Sequence, residues 1–264
     1  MSFDSGEIFD PSAVFYTEFR GSYPNSLFAL IREHFSLYGS GRLLDVGCGS
    51  GQIAIPLSQH FEQVVAVDVS EEMVAVARQN VTASGLSNVE FVVLLGEDIS
   101  SLARAGKFDL VTYGSSLHWM DIPKTFAASH DLLRDDGGIA ILSMRSIWGG
   151  DSIWEQVVIS VVRKWLGESR RAGASALFQP IISFIQALAD AGFSAIEEGK
   201  VEVEYCIGIP FIIGHLYSTS YANSGLFGDH ITAFEHELTE ALLALEPSGE
   251  FEWSPGAGYI LARK

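Results

Sequence analysis

The chain has 264 residues, of which 48% are hydrophobic, and its 33 acidic and 16 basic residues give a formal net charge of −17. This length and composition exclude a disordered chain and allow a sizeable core, in one large domain or two small ones. The acidic balance disfavours nucleic acid and anionic membranes as partners, because their capture depends on clustered Lys and Arg.

The first residues, the apolar segments and the two cysteines bear on the location of the protein and on metal binding. The first ten residues, MSFDSGEIFD, lack the basic and apolar regions of a secretory signal, and no segment approaches the ~20 apolar residues of a membrane span. We therefore expect a cytoplasmic protein that binds no membrane. Cys48 and Cys206 stand far apart without a Cys or His at metal-ligand spacing, which predicts two reduced, largely buried thiols and no metal site.

Residues 1–40 are predicted to form an N-terminal lid followed by a helix. The helix, at 24–39, repeats apolar residues at the spacing of one face: Leu27, Leu30, Ile31, Phe35 and Tyr38. We expect it to lie across the edge of a sheet or above a ligand site.

Residues 41–146 alternate short apolar runs with helical patterns and are predicted to form the ligand-binding core. The strands are expected at 43–46, 64–68, 89–94, 108–113 and 138–143. Their continuous apolar character is typical of parallel strands covered by helices on both faces.

The helices between these strands carry start and stop signals. One is expected from Gln52 to about Phe61, and another at 71–84 with Ser70 as N-cap and Gly85 as its end. A third, at 123–133, has Pro123 in its first turn and is expected to turn Phe126, Ala127 and Leu133 inward. Strand–helix–strand repeats of this kind give a doubly wound sheet through right-handed crossovers.

Residues 147–264 are predicted to complete the same domain and to form the pocket for a second ligand. Helices are expected at 154–168, 178–193 and 229–245, and strands at 201–206 and 257–262. The fold class is therefore α/β: a doubly wound, mostly parallel seven-stranded sheet with helices on both faces, a helical N-terminal lid and a helical insertion after the fifth strand. Trp154, Val157, Val158, Val161 and Trp165 form the packing stripe of the first of these helices.

The stretch LLDVGCGSGQ, residues 43–52, carries the most specific signal. It runs from a strand containing Asp45 into a turn with Gly47, Gly49 and Gly51, where backbone amides and a helix N-terminus suit a nucleoside-type ligand. A dinucleotide fingerprint needs G-x-G-x-x-G, whereas the third glycine here comes one residue early. Pyrophosphate binding is thus disfavoured.

The pattern D-x-G-x-G-x-G at the end of the first strand resembles that of Rossmann-like S-adenosylmethionine-dependent methyltransferases. In VVAVDVSEEM, Asp68 stands where that family binds both ribose hydroxyls, and the resemblance adds the neighbouring Val69. In LLGEDI, either Glu97 or Asp98 matches the acidic residue that faces the adenine amino group. Tyr113, in the fourth strand, completes the cofactor-binding set that the resemblance implies.

The segments FDLVTYGSSLHWMD (108–121) and LLRDDGGIAIL (132–142) extend the resemblance. The His118-Trp119 pair after the fourth strand is common in the small-molecule branch often called type 11, which includes methyltransferases of trans-aconitate and of natural products. The resemblance covers residues 40–145 and reaches the N-terminal FYTEFRGSYP and the late segment from His215. It implies S-adenosylmethionine as cofactor and a small-molecule acceptor that is methylated on N, O or a carboxylate.

Methyl transfer from a sulfonium is an in-line displacement, so the protein mainly orients the reactants and excludes water. Residues 8–23 are predicted to form an aromatic lid that contains Tyr16, with Arg20 pairing with the carboxylate of the methionine moiety; the alternative is a surface arginine. His118 is the candidate general base for a hydroxyl or amine acceptor, beside Trp119. For a carboxylate acceptor it would only position the substrate, and a structural role is the alternative.

Several alternatives stay open at the level of sequence. Tyr217 and Tyr221 either line the acceptor pocket or pack in the core. The chain as a whole is either an enzyme acting on a small molecule, a noncatalytic S-adenosylmethionine- or nucleotide-binding partner protein, a protein or nucleic-acid methyltransferase, or a nicotinamide oxidoreductase. The sequence indicates neither the acceptor nor the oligomeric state.

Overall fold

A computed structural model of the protein describes Phe15, Glu18, Phe19 and residues 22–169 and 183–264. Its strands are β1 (Arg42–Val46), β2 (Gln63–Asp68), β3 (Val89–Val93), β4 (Phe108–Gly114), β5 (Leu133–Met144), β6 (Ser194–Val201), β7 (Tyr205–Gly208), β8 (Glu250–Trp253) and β9 (Ala257–Arg263). Its α-helices are α1 (Asn25–Phe35), α2 (Ala54–Leu57), α3 (Glu71–Ala83), α4 (Ile122–Leu132), α5 (Ile153–Leu166), α6 (Phe184–Asp190), α7 (Ile209–Tyr217) and α8 (Ile231–Leu245).

The central sheet has seven strands in the order β3-β2-β1-β4-β5-β9-β6. The first five are parallel to one another, and β9 runs antiparallel between β5 and β6. This arrangement confirms the doubly wound, mostly parallel sheet. The order reverses beside β1, and in open α/β sheets such a switch point opens a crevice at the carboxyl ends of the strands.

Each face of the sheet is covered by its own apolar layer. One layer joins α1, α2 and α3 to the sheet through buried residues such as Leu27, Leu57 and Ala77. The other joins α4 and α6 to the opposite face through Phe126 and Leu188. The inner strands β1, β2, β4 and β5 are therefore buried on both sides over most of their length, which explains their continuous apolar runs.

A third apolar cluster lies outside these two layers. It joins α5, α7, α8 and the small β7–β8 sheet, and includes Trp154, Leu216, Phe234 and Trp253. We call this unit the cap. Its helix α5 buries Trp154, Val158 and Val161 of the predicted stripe, and the partly buried Val157 and Trp165 pack against the same cluster, which confirms that stripe as a packing face. Among the described residues, no helix is long and apolar enough to cross a membrane.

The predicted strand at 201–206 is wrong. Residues 194–201 form the edge strand β6, and Tyr205–Gly208 form β7 in the cap sheet, with no strand over residues 202–204 between them. The polar β6, with five exposed and three partly buried residues, lacks the apolar run of the inner strands, whereas the alternating VEVEYC imitates a single strand. The described part of the predicted helix 178–193 is α6; the rest lies outside the described residues.

Four smaller expectations were also wrong. The helix after the glycine turn is α-helical only at Ala54–Leu57 and tightens into a 3-10 turn at Ser58–His60, where Asn88 Nδ2 donates to the Ser58 and Phe61 carbonyls.

The other three expectations concern side chains that were predicted to be buried. Tyr38 is exposed because α1 ends at Phe35, with Ser36 in a left-handed conformation. Ala127 faces solvent because the inner face of α4 carries its neighbours Phe126 and Ala128. Cys206, predicted to be buried, is exposed on the short cap strand β7.

Candidate functional site

A cavity of about 1100 Å³ opens at the carboxyl ends of β1, β2, β4 and β5. It extends beneath the cap and over the ends of β9 and β6. Its lining includes most of the predicted site residues: Gly47, Gly49, Asp68, Val69, Glu97, Asp98, Tyr113, His118 and Trp119. The topological switch point and the cavity therefore coincide.

The glycine turn follows β1 and is held against β2. Gly47 and Cys48 donate their amides to the Val67 carbonyl at 2.8 and 3.0 Å. Gly47 has a φ of +70°, and a Cβ there would lie 2.4 Å from the Cβ of Ser116. Only glycine meets both the backbone conformation and the close approach.

Asp68, the last residue of β2, joins this turn to the next helix. Its Oδ2 accepts from the Gly49 amide at 2.8 Å and its Oδ1 from the Ser70 amide at 3.0 Å. Burial raises the pKa of Asp68, and these backbone hydrogen bonds oppose part of that rise. The predicted N-cap is confirmed, because Ser70 Oγ accepts from the Met73 amide.

Asp45 and Gly51, both predicted to bind the cofactor, do not line the cavity. The Asp45 carboxylate is fully buried and accepts from Thr112 Oγ1 at 2.7 Å and from the Ala54 amide at 3.1 Å. Burial raises its pKa to about 7. Asp45 thus ties β1 to β4 and to the start of α2, behind the glycine turn.

Glu97 and Asp98 both line the cavity, from the 3-10 segment Gly96–Ala105. Glu97 Oε1 accepts from the Asp121 amide at 2.9 Å, whereas Asp98 pairs with Lys124 at 3.2 Å. Tyr113 reaches the cavity from the end of β4, and its buried hydroxyl bonds to Ser129 Oγ at 2.6 Å.

Met120 is a lining residue that sequence reasoning missed. A Cβ on Gly96 would lie 2.5 Å from its sulfur, and one on Gly47 would lie 3.2 Å from its terminal methyl. Its thioether thus fills space left free by two glycines that are far apart in the chain. No local pattern signals such a long-range packing relationship.

His118 and Trp119 occupy a 3-10 turn, Leu117–Trp119, directly after β4. Their ring centroids lie 4.8 Å apart, and both residues line the cavity. The structure therefore places the predicted base and an aromatic surface in the same chamber as Asp68.

The cap contributes a hydroxyl-rich wall. Thr219, Ser220 and Tyr221 line the cavity, together with Tyr259 of β9. From the sequence, Tyr217 and Tyr221 could either line the acceptor pocket or pack in the core. Tyr221 lines the cavity, whereas Tyr217 packs in the cap and donates to Glu235 at 2.8 Å.

The predicted lid lies mostly outside the described residues, as do Tyr16 and Arg20. Of the lid aromatics that are described, Phe15 makes an edge contact with Tyr217, with centroids 5.2 Å apart. The Phe19 carbonyl accepts from His215 Nδ1 at 3.1 Å, and the Tyr23 hydroxyl donates to the Leu142 carbonyl at 3.3 Å. These contacts tie the start of the chain to the cap and to β5.

Part of the chain is similar to known methyltransferases. The model of a methyltransferase domain matches residues 43–137. The chain is 35% identical over 148 residues to Methyltransferase ptaI of Pestalotiopsis fici, covering 52% of this chain and 44% of that protein. It is 30% identical over 128 residues to the probable S-adenosylmethionine-dependent methyltransferase CRG1 of Saccharomyces cerevisiae, covering 47% and 43%. The chain thus spans less than half the length of these relatives.

Two further matches are a solved structure with a similar fold and a tRNA/tmRNA methyltransferase. The YcgJ protein of Bacillus subtilis superposes with a TM-score of 0.58 at 18% identity, over 91% of this chain and 99% of that one. This likeness extends the common architecture beyond residues 43–137. A tRNA/tmRNA (uracil-C(5))-methyltransferase of Nitratiruptor is 33% identical over only 91 residues, which cover 32% of this chain and 25% of that protein.

Proposed function

We propose that this chain, which belongs to the Rossmann-like S-adenosylmethionine-dependent methyltransferases, methylates a small molecule bound beneath the cap. The observation that carries this proposal is the single cavity that holds Asp68 and the glycine turn at one side and His118, Trp119 and the cap hydroxyls at the other. When bound, S-adenosylmethionine supplies a methyl group already activated by a positively charged sulfur.

The residues of the glycine side fit this cofactor. A carboxylate has about four lone-pair sites, so Asp68 keeps acceptor capacity for the ribose beside its backbone hydrogen bonds to Gly49 and Ser70. Gly47 and Gly49 leave the backbone accessible beside it. Glu97 and Asp98 both line the side on which the adenine would lie, and Val69 extends the surface from Asp68. Asp45 acts as a positioning residue through Thr112 and α2.

The chain's own contribution to the reaction is orientation, exclusion of water and proton removal. The cap covers the chamber, and the Trp119 ring offers a face that stabilises positive charge. His118 takes a proton from an acceptor hydroxyl or amine, since it is the one histidine among the described residues that line the cavity. Tyr16 and Arg20 remain predicted members of the lid, with Arg20 binding the methionine carboxylate.

The lining charges favour a small molecule over a nucleic acid. Five lining residues are acidic, namely Asp68, Glu97, Asp98, Asp121 and Glu198, whereas the one lining Lys or Arg among the described residues is Lys124, which already pairs with Asp98. The sugar–phosphate backbone of a nucleic acid would meet net negative charge here and on the chain as a whole. The similarity to tRNA methyltransferases is short by comparison.

The test is transfer of label from S-adenosylmethionine, labelled in its methyl group, to a protein-free metabolite extract. Label should appear in a small molecule whose mass increases by one methyl group. Label confined to added RNA or protein would contradict the proposal. Binding of S-adenosylmethionine without any transfer would instead support a noncatalytic partner protein.

The general-base role has its own test in the same assay. The His118→Ala variant should lose about 100-fold in kcat, because positioned proton transfer contributes that much or more. The His236→Ala variant is the matched control, since His236 is exposed on α8, where it pairs with Glu240. Equal rates for wild type and His118→Ala across pH would remove His118 from the chemistry.

A further inference from the structure

We infer that the methyl acceptor is an amine, recognised as a cation, and not a carboxylate or a phosphate ester. This inference rests on the proposed function and names the substrate class of the same site. It follows from the charges, hydroxyl groups and aromatic rings on the side of the cavity away from the glycine turn.

The sheet order separates the two sides of the cavity. The glycine turn, Asp68 and the segment from Gly96 follow β1, β2 and β3, which lie consecutively at one side of the sheet. Lys124 belongs to that side, because it pairs with Asp98. The remaining space lies over β4, β5, β9 and β6, and this is where an acceptor would bind.

The acceptor side carries one carboxylate and no Lys or Arg among the described lining residues. Glu198 of β6 is that carboxylate, and His118, Tyr221 and Tyr259 are the other titratable groups there. The remaining acidic lining residue, Asp121, is held against Glu97 on the glycine side, because its amide donates to Glu97 Oε1 at 2.9 Å. A carboxylate or phosphate ester is bound in proteins by Arg, Lys or several N–H donors, and its desolvation beside Glu198 would be unfavourable. An ammonium group, in contrast, would be attracted to Glu198.

A hydroxyl group of the cap points to the same class. Thr219 donates its proton to the Leu216 carbonyl at 2.6 Å. With its proton used, this oxygen has only lone pairs to offer a ligand. It therefore complements an N–H donor and repels an anionic oxygen.

Aromatic rings complete the environment. Trp119, Tyr221 and Tyr259 all line the cavity. The negative face of an aromatic ring attracts an ammonium group, and this attraction strengthens as water is excluded. Carboxylate, lone pairs and aromatic faces thus agree on a cationic acceptor.

Methylation of an amine requires the removal of a proton before the methyl group is transferred. The ammonium first loses a proton to His118 or to water. The nitrogen lone pair then forms the new N–C bond as the S–CH₃ bond breaks, and the electron pair of that bond stays on the sulfur. The positive charge passes from sulfur to nitrogen, and a second proton leaves the nitrogen when the amine carries one.

The first test separates acceptors by charge before the reaction. A protein-free metabolite extract of the producing organism is divided on ion exchangers at neutral pH into basic, neutral and acidic pools, and each is incubated with methyl-labelled S-adenosylmethionine. Product in the basic pool supports the inference. Product confined to the acidic or neutral pool overturns it and leaves the proposed function intact, whereas no product in any pool overturns the proposed function itself.

The second test uses the amine found in this way and a matched pair of variants. Glu198→Gln should raise KM for the amine by about two- to fivefold, with the Kd of S-adenosylmethionine unchanged, since Glu198 is partly screened by solvent. Glu197→Gln is the control, because Glu197 lies on the other face of β6, 3.6 Å from His34, and outside the cavity lining. Glu198→Lys should raise KM further. Equal KM values for the wild type and the Glu198 variants would overturn the role of this carboxylate.

Discussion

The Gly49 amide donates to the Asp68 carboxylate across 2.8 Å, which joins the turn after β1 to the end of β2. The same carboxylate accepts from Ser70, whose hydroxyl caps α3. Turn, strand end and helix start are therefore one hydrogen-bonded unit. A change at Asp68 acts on the cofactor directly and also on the turn that approaches it.

Replacing Asp68 by Ala should weaken S-adenosylmethionine binding by about 1–3 kcal/mol, because charged hydrogen bonds to the ribose would be lost. Calorimetric titration measures this difference. The Asp68→Asn variant keeps one oxygen acceptor for Gly49 but removes the charge, so it separates the two contributions. Glu71→Gln, an exposed acidic residue in the first turn of α3, serves as control. An unchanged affinity for Asp68→Ala would refute the ribose assignment.

The affinity should also fall at acid pH. Burial raises the pKa of Asp68, so this group takes up a proton at a higher pH than an ordinary Asp as the pH decreases. The protonated form accepts fewer hydrogen bonds from the ribose. We therefore expect the Kd to rise as pH falls through this raised pKa, and to change less with pH in Asp68→Asn. A parallel pH dependence in wild type and variant would assign the effect to another group.

The sequence predicted the parts of this site that depend on local chemistry. Gly47 and Gly49 are required by a turn between a strand and a helix, Ser70 by an N-cap, and Asp68 by a strand end that reaches a ligand. Each of these requirements selects a particular residue type at a fixed spacing, which is visible in the sequence. The inner strands could be predicted equally well, since burial on both faces demands apolar runs.

Gly47 should tolerate a side chain far less than Gly85 does. Both have similar backbone conformations, with φ of +70° and +67°, but a Cβ on Gly47 would lie 2.4 Å from Ser116 whereas one on Gly85 would have no atom within 4 Å. Gly85→Ala should lose about 1–2 kcal/mol of unfolding free energy to the left-handed conformation alone. Gly47→Ala should lose a further 1–3 kcal/mol, approximately the cost of overpacking. Urea unfolding compares the two, and equal losses would deny the close approach.

Other parts depend on contacts between distant segments and left no local pattern. Met120 packs against Gly47 and Gly96, and Asp45 finds its partner in Thr112 of another strand. Asp45 stands in the family motif, so the sequence could not tell a residue that touches the cofactor from one that supports the turn. The edge strand β6 was missed for a related reason, because a half-exposed strand needs no apolar run.

Asp45 should make stability depend on pH in a definite direction. Its pKa is about 7 in the folded protein and near 3.8 when unfolded, so the folded state binds more protons between these values. Its contribution to the unfolding free energy therefore decreases as pH rises from about 4 to 7. Thr112→Val removes a hydrogen bond that favours the charged form, and should cost about 1–3 kcal/mol at pH 8 and less at pH 5.

Urea unfolding of wild type and Thr112→Val at both pH values isolates this effect, because other titrating groups cancel in the difference. Thr82→Val is the control, since the Thr82 hydroxyl donates to the Arg78 carbonyl on the exposed surface of α3. Its effect should stay within about 0.5 kcal/mol at either pH. A loss for Thr112→Val that is larger at pH 5 than at pH 8 would contradict the raised pKa of Asp45.

The attachment of the cap can be tested at Glu155, an almost fully buried carboxylate at the start of α5. It pairs with Arg145 at 2.9 Å, and its second oxygen accepts from the Ser152 hydroxyl at 2.8 Å. Arg145 also donates to the Ser254 carbonyl, just before β9. This pair therefore joins the end of β5, the first cap helix and the return to the sheet.

Glu155→Gln should reduce the unfolding free energy by about 2–3 kcal/mol, because it leaves a cation without its buried partner. The loss stays below that of a fully buried pair, since Arg145 is about one-third exposed and keeps part of its hydration. The matched control is Glu168→Gln, which removes an exposed partner 3.9 Å from Arg163 and should cost less than about 1 kcal/mol. Urea unfolding at low and high salt compares them. Equal losses, or a loss at Glu155 that high salt abolishes, would mean that this ion pair does not hold the cap in place.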